Sequence, residues 1–186
     1  MDGDEYISYL RSTNLFLISL DEQRNWFRFH HFFGDLLQEE LYDKKSPQEI
    51  NQFYHKVADW FKANSLAEYA ISYYLRSGSA LLAYGVFLEN RLSWHNERDW
   101  GQIETILQLF HSHKTKAYIG LQLSNSWLKI QNGQVIEMFE QLPAIQQNLL
   151  TDQLESEIEY SLEGEFKVLM LYRLYNYDHD YKYSLK

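Results

Sequence analysis

Two histidines stand side by side at positions 30 and 31, directly after Trp26-Phe27-Arg28-Phe29 and directly before Phe32-Phe33-Gly34-Asp35-Leu36-Leu37. If His30 opens a helix, an imidazole N–H stands beside the unpaired first N–H groups of that helix. Together they suit an anion such as a phosphate. On composition alone, a histidine at a strand–helix junction is as a rule a packed or hydrogen-bonded structural residue. His31 reads as a packing or capping residue. Arg24 and Arg28 are close enough in the chain to reach the same anion. Arg24 falls in a turn near Asp21, where a solvated or paired side chain is the simpler reading. Arg28 lies on the strand face opposite Phe27 and Phe29, where an anion contact or an interdomain contact is the lesser reading beside a solvated side chain.

The remaining chemistry-bearing groups are sparse. His111 and His113, and the run Asp178-His179-Asp180, have metal-ligand side chains, but short clusters of this kind on loops are far more often solvated surface, and no metal site is assigned. Asp21-Glu22 and the set Glu155, Glu157 and Glu159 read as charged faces, not as acid/base partners, because nothing places them in a pocket. GxxxxGK[ST] is absent, and no apolar run ends in acidic residues as a metal-holding strand would. No Ser-His-Asp or Cys-His set is identifiable. The expectation is a non-catalytic chain that binds no cofactor by itself.

The elements that would position His30 follow from pattern. Leu15 to Leu20 is an apolar, strand-like run, Asp21 to Asn25 is a polar turn, and Trp26 to His30 alternates. That predicts a β-hairpin over 15–30. Phe32, Phe33, Leu36, Leu37 and Leu41 then recur at helical spacing, predicting an amphipathic helix over 31–42. Upstream, Asp4 to Ser12 reads as a short helix with Ile7 and Leu10 inward. Ser46-Pro47-Gln48-Glu49 is a strong helix start, and Ile50, Phe53, Tyr54, Val57, Trp60 and Phe61 form one apolar stripe behind it. Asn64-Ser65 breaks that helix. Leu66, Tyr69, Ala70, Tyr73 and Tyr74 begin an antiparallel return that stops at Ser77-Gly78. Leu81 to Leu88 pairs in the same way with Trp100 to Phe110. Tyr118 to Ile130 pairs with Val135 to Leu142 across Asn132-Gly133, and a last helix covers about 154–175. The pairs start about 31–38 residues apart, near the ~34 of tetratricopeptide repeats. Residue identities fit that consensus poorly, with Met138 in a slot usually held by alanine, so the pattern is a repeat-like solenoid. The chain also reads as cut at both ends, starting just upstream of the hairpin and stopping inside a helix at Tyr183-Ser184-Leu185-Lys186.

Composition narrows the class. The 186 residues are 45% hydrophobic and 23% charged, which is globular. Two prolines, Pro47 and Pro143, and eight glycines leave long stretches for helices. Aromatic residues reach 17%, with 15 tyrosines; on the C-terminal helices most should pack between helices and some line a partner-binding face. A formal charge of −9, with no basic run longer than Lys44-Lys45, argues against nucleic-acid binding by this chain. It has no cysteine, no apolar run of membrane-span length and no signal-peptide pattern, so a cytoplasmic location is expected.

The stretch LFLISLDEQRNWFRFHHFFGDLL, residues 15–37, resembles the winged-helix segment of the large ATP-dependent LuxR-type regulators of the MalT type, which belong to the STAND class of signalling ATPases and typically read LFLxxLDxxRxWYRYHHLFxDLL here. Residues 51–78 are similar to the helical hairpin that follows in that family. Residues 121–142 and 162–186 are similar to helices of its superhelical sensor domain. The resemblance implies a mainly α fold: a winged-helix remnant over 1–45 with one β-hairpin, then a TPR-like helical region over 46–186 that stops short of its end. It implies that His30, in an intact parent, contacts the β-phosphate of bound ADP and holds a closed resting state. It also implies that ATP and ADP belong to the parent and not to this chain, that the DNA-reading helix-turn-helix lies outside it, and that a protein or small-molecule inducer binds the superhelix. The functional expectation is a coupling piece between nucleotide state and inducer sensing. The alternatives are a stand-alone TPR-like adaptor for protein partners, and a truncated reading frame without a functional product.

Overall fold

The computed structural model describes residues 3–12, 17–22, 27–113, 118–151 and 156–176. Among these the fold is mainly α with a single two-stranded antiparallel hairpin. Its contacts divide the chain into two compact units, Met1–Phe53 and Tyr54–Lys186. Leu15, Phe16, Arg24, Trp26 and everything from Tyr177 onward, including Asp178-His179-Asp180 and the expected helix opening at Tyr181, lie outside the described residues.

In the first unit, α1 (Gly3–Ser12) precedes β1 (Leu17–Ser19) and β2 (Phe27–Phe29), which pair Leu17 with Phe29, Ile18 with Arg28 and Ser19 with Phe27. Alternation works as expected: Phe27 and Phe29 are half-buried and Arg28 is exposed. Then α2 (His31–Lys44) follows, and here the expected inward stripe is corrected. Phe33 and Leu41 are half-buried, but Phe32 is 72% exposed, Leu36 and Leu37 are exposed, and no α2 side chain is buried. The physical reason is size. Two strands of three residues can cover only one side of a helix, and they do so through Phe29, whose ring meets Phe33 edge-on at 5.3 Å.

The helix α3 (Pro47–Ala63) opens with a capping box. The Ser46 N–H donates to Glu49 Oε2 at 3.0 Å and the Glu49 N–H donates to Ser46 Oγ at 3.3 Å, while Lys45 Nζ adds a contact to Glu49 Oε1 at 2.9 Å. These bonds to the ionised form pull the Glu49 carboxyl down to about 2.

The second unit takes the C-terminal part of α3 and continues with α4 (Ala67–Arg76), α5 (Ala80–Glu97), α6 (Trp100–Ser112), α7 (Ile119–Gln131), α8 (Val135–Thr151) and α9 (Ser156–Asn176). Four of its helix ends share one device. At Ser65, Gly78, Arg98 and Gly133 the chain turns left-handed, and the next N–H reaches back five residues, from Leu66 to Phe61, Ser79 to Tyr74, Asp99 to Trp94 and Gln134 to Lys129. That is the Schellman closure, which satisfies carbonyls the helix cannot satisfy itself. Short closures of this kind return each helix against its predecessor.

Packing follows from aromatic and aliphatic fit. Phe61 of α3 stacks on Tyr69 and Tyr73 of α4 at 5.1 and 5.4 Å. The buried Tyr74 donates its hydroxyl to Asp59 Oδ1 at 2.6 Å, and burial together with that carboxylate pushes its pKa up to about 12. The expected α3 stripe is corrected too: Phe53 and Trp60 are exposed, and Ala58, not singled out, is fully buried. Helix α5 runs well past Leu88, its inward face is Ala83, Tyr84, Val86, Phe87 and Arg91, and Leu81 and Leu82 point to solvent. Helix α8 continues past Pro143, burying Ile145. One cluster centres on Phe87, Ile106 and Phe110, a second on Ile119, Leu123, Met138, Leu142 and Leu169, and Leu88 packs against both.

Candidate functional site

His30 follows β2 directly and is the N-cap residue of α2. Its backbone is extended (φ −53°, ψ 140°), and its carbonyl accepts the N–H groups of Phe33 and Gly34 at 3.0 and 2.9 Å. Its side chain makes no capping bond to the helix. The imidazole is half-buried and lies 4.3 Å from the His31 ring and 5.6 Å from Phe32. His31 is exposed, with its ring tilted against that of the exposed Phe32 at 4.1 Å. No acidic residue sits in the first turn of α2; its acids come later, at Asp35, Glu39, Glu40 and Asp43. A helix whose first turn carries no acidic side chain, with an imidazole at its N-cap, is chemically suited to an anion.

Arg28 is on the same strand, on the solvent face and opposite Ile18 across the hairpin. Phe27 and Phe29 face the other way, so Arg28 and the Phe29–Phe33 contact occupy opposite sides of the sheet. Arg24 lies outside the described residues. His111 is exposed. His113 is the C-cap of α6, where its N–H donates to the Leu109 carbonyl and its ring nitrogen lies 2.9 Å from the same oxygen. Among the described residues no three His, Asp or Glu side chains converge as a metal set. The side chains of Glu157 and Glu159 and the whole of Glu155 are outside the described set.

A second polar constellation went unread in the sequence. Arg91 of α5, 2% exposed, donates twice from Nη2 to the carboxylate of Glu165 on α9, at 2.6 and 2.5 Å. Trp127 of α7 donates its indole N–H to Glu165 Oε1 at 2.8 Å, and Arg91 Nε donates to the buried Ser124 hydroxyl at 3.3 Å. His95 Nε2 lies 3.1 Å from the same hydroxyl and its ring meets Trp100 edge-on at 5.3 Å. Burial, then the Arg91 charge, lower the His95 pKa below its ordinary value, with Glu165 opposing. The signal for Arg91 was present: it stands four residues after Phe87, on the continuation of the α5 inward face.

Residues 1–50 match the family profile described as the MalT winged helix domain. The HTH-type transcriptional regulator MalT of Cronobacter sakazakii is 23% identical over 168 residues, covering 90% of this chain and 18% of that protein. MalT of Klebsiella pneumoniae is 21% identical over the same length. The serine/threonine-protein kinase PknK of Mycobacterium tuberculosis is 23% identical over 129 residues, 69% of this chain and 12% of the kinase. The chain therefore spans under a fifth of the length of these relatives. No solved structure matches.

Proposed function

We propose, from the premise that the chain is MalT-like with a MalT-type winged-helix domain at its front, that it couples nucleotide state to a helical sensing region in a STAND-type, LuxR-type transcriptional regulator. The wing histidine is the reporter: in a protein that also carries a phosphate-binding loop, His30 contacts the β-phosphate of ADP and favours the resting arrangement. Arg28 is a weaker accessory contact. The paired helices from α3 onward act as a TPR-like surface for an inducer or partner protein, in the cytoplasm. Coupling requires two arrangements that the nucleotide and the inducer prefer differently.

The observation that carries this reading is the placement of His30, half-buried at the N-cap of α2, whose first turn holds no acidic residue. Titration calorimetry of this chain with ADP and ATP should give no micromolar binding, because one imidazole cannot replace a phosphate loop. In a longer protein that joins this chain to a P-loop ATPase segment, His30→Ala should weaken ADP by about 10- to 100-fold, the worth of one charge-assisted hydrogen bond. Basal activity should rise. Unchanged ADP affinity in that variant removes the reading. A second reading, a partner-binding adaptor, is favoured by Trp60 and Tyr69, which expose aromatic surface beside Phe61. Neighbouring coding sequence separates the two, since only the first requires a P-loop upstream and a helix-turn-helix downstream.

A further inference from the structure

Helix α9 has two apolar faces. Leu162, Phe166 and Leu169 are buried against the rest of the second unit, while Val168, Leu171 and Tyr175 form a stripe on the solvent side, with Tyr175 85% exposed. At 100° per residue the two stripes lie about 150° apart around the helix, so apolar patterning alone offers two settings for this element. Glu165 sits on the flank between them. Its carboxylate takes two bonds from Arg91 and one from Trp127, that is, from α5 and α7 at once. Arg91 is itself pinned by Ser124 and is fully enclosed, whereas the Glu165 side chain keeps 15% of its surface. The fixed half of the pair thus belongs to the body of the unit and the movable half to α9.

We infer that the Arg91–Glu165 pair is a registry latch: it selects which apolar face of α9 packs inward and is not the source of the cohesion that holds the helix in place. Buried ion pairs are poor sources of net stability, because desolvation offsets their attraction, and their best-attested use is to choose one register among several. Release of the latch frees α9 to rotate and bury Val168, Leu171 and Tyr175 instead. That gives the helical region a two-state element, independent of the nucleotide reading above.

The chain has no cysteine, so single introduced thiols report cleanly. Leu171→Cys and Leu169→Cys are made separately in the full chain, and the rate of thiol alkylation is compared. With Arg91 and Glu165 present, the Leu171→Cys thiol reacts fast and the Leu169→Cys thiol slowly. In the background Arg91→Met plus Glu165→Met, which replaces the pair by apolar side chains of similar length, the ratio of the two rates should fall by at least about tenfold while helicity by circular dichroism is kept. A retained ratio overturns the inference, since apolar packing would then set the rotation unaided. Loss of helicity in the double variant also overturns it, because the pair would then be holding the helix and not choosing its face.

Discussion

A methyl group added at Gly120 would stand 2.8 Å from Leu88 Cδ2 and 2.9 Å from the Tyr84 hydroxyl oxygen, which accepts the Gly120 N–H at 3.0 Å. Tyr84 cannot retreat freely, because its ring stacks on Tyr118 at 4.3 Å. Alanine gains helix propensity, but the overpacking is larger, so Gly120→Ala should lose about 1–2 kcal/mol in urea unfolding. The left-handed turns behave oppositely. Ser65 and Arg98 hold φ of 59° with a Cβ attached, where Gly78 and Gly133 do the same without one. Ser65→Gly should therefore raise stability by about 0.5–1 kcal/mol, read as a higher melting temperature; a loss would mean that the Ser65 side chain carries the turn. Glu49 supplies a pH dependence. Its folded pKa of about 2 lies below the usual 4.5. Its contribution is thus complete above about pH 4.5 and is lost as pH falls through about 2. The melting-temperature gap between the natural chain and Glu49→Gln should be present at pH 6 and close on acidification. Ser46 and Glu49 were legible in the sequence because a capping box is local; Gly120 was not, because its constraint comes from Tyr84 and Leu88 on another helix.

Elements divide along the same line. The hairpin, the strand-to-helix junction at His30 and the helix stops at Ser65, Gly78 and Gly133 were legible, since each is written in alternation or in turn residues. The stop at Arg98 was hidden, because arginine gives no signal for a left-handed turn, and so α5 was read as ending near Leu88. Apolar periodicity also misassigns faces: it puts Phe32, Leu36, Phe53 and Trp60 on inward stripes, and all four are exposed. Hydrophobicity marks what can be buried, and packing partners decide what is. The reverse error hid Arg91, whose burial depends on Glu165 more than seventy residues on. His95, in the same cluster, ties that region to pH. Its folded pKa is depressed below 6.5 by burial and by Arg91. The stability it contributes is full above about pH 6.5 and is lost as pH falls through the lower folded value. Acidification from pH 7.5 to 5 should lower the urea midpoint, and His95→Asn should flatten that slope relative to the natural chain. An identical slope in the variant would place the titration elsewhere.

At the scale of the whole molecule, charge decides what surfaces this chain can meet. A winged helix is by shape able to enter a DNA groove, and relatives named as HTH-type transcriptional regulators make that possibility concrete. Electrostatics runs against it here. The formal charge is −9 and the sequence pI about 5.2, while groove binding draws most of its affinity from lysine and arginine displacing counterions. The one adjacent basic pair is already engaged: Lys44 contacts Glu40, and Lys45 contacts Glu49 at 2.9 Å. The solvent side of α2 presents Glu39 and Glu40, which repel phosphates. The exposed Arg28 is a single charge, worth about one counterion in the salt slope. The purified chain should therefore leave duplex DNA unshifted in a gel assay at ~0.15 M salt, and lowering the salt to ~0.05 M should not rescue a shift, since there are too few phosphate contacts to gain. A stable complex at the higher salt would mean that the α2 face is a reader after all, and would make His30 and Arg28 DNA contacts in place of the nucleotide contacts proposed for them.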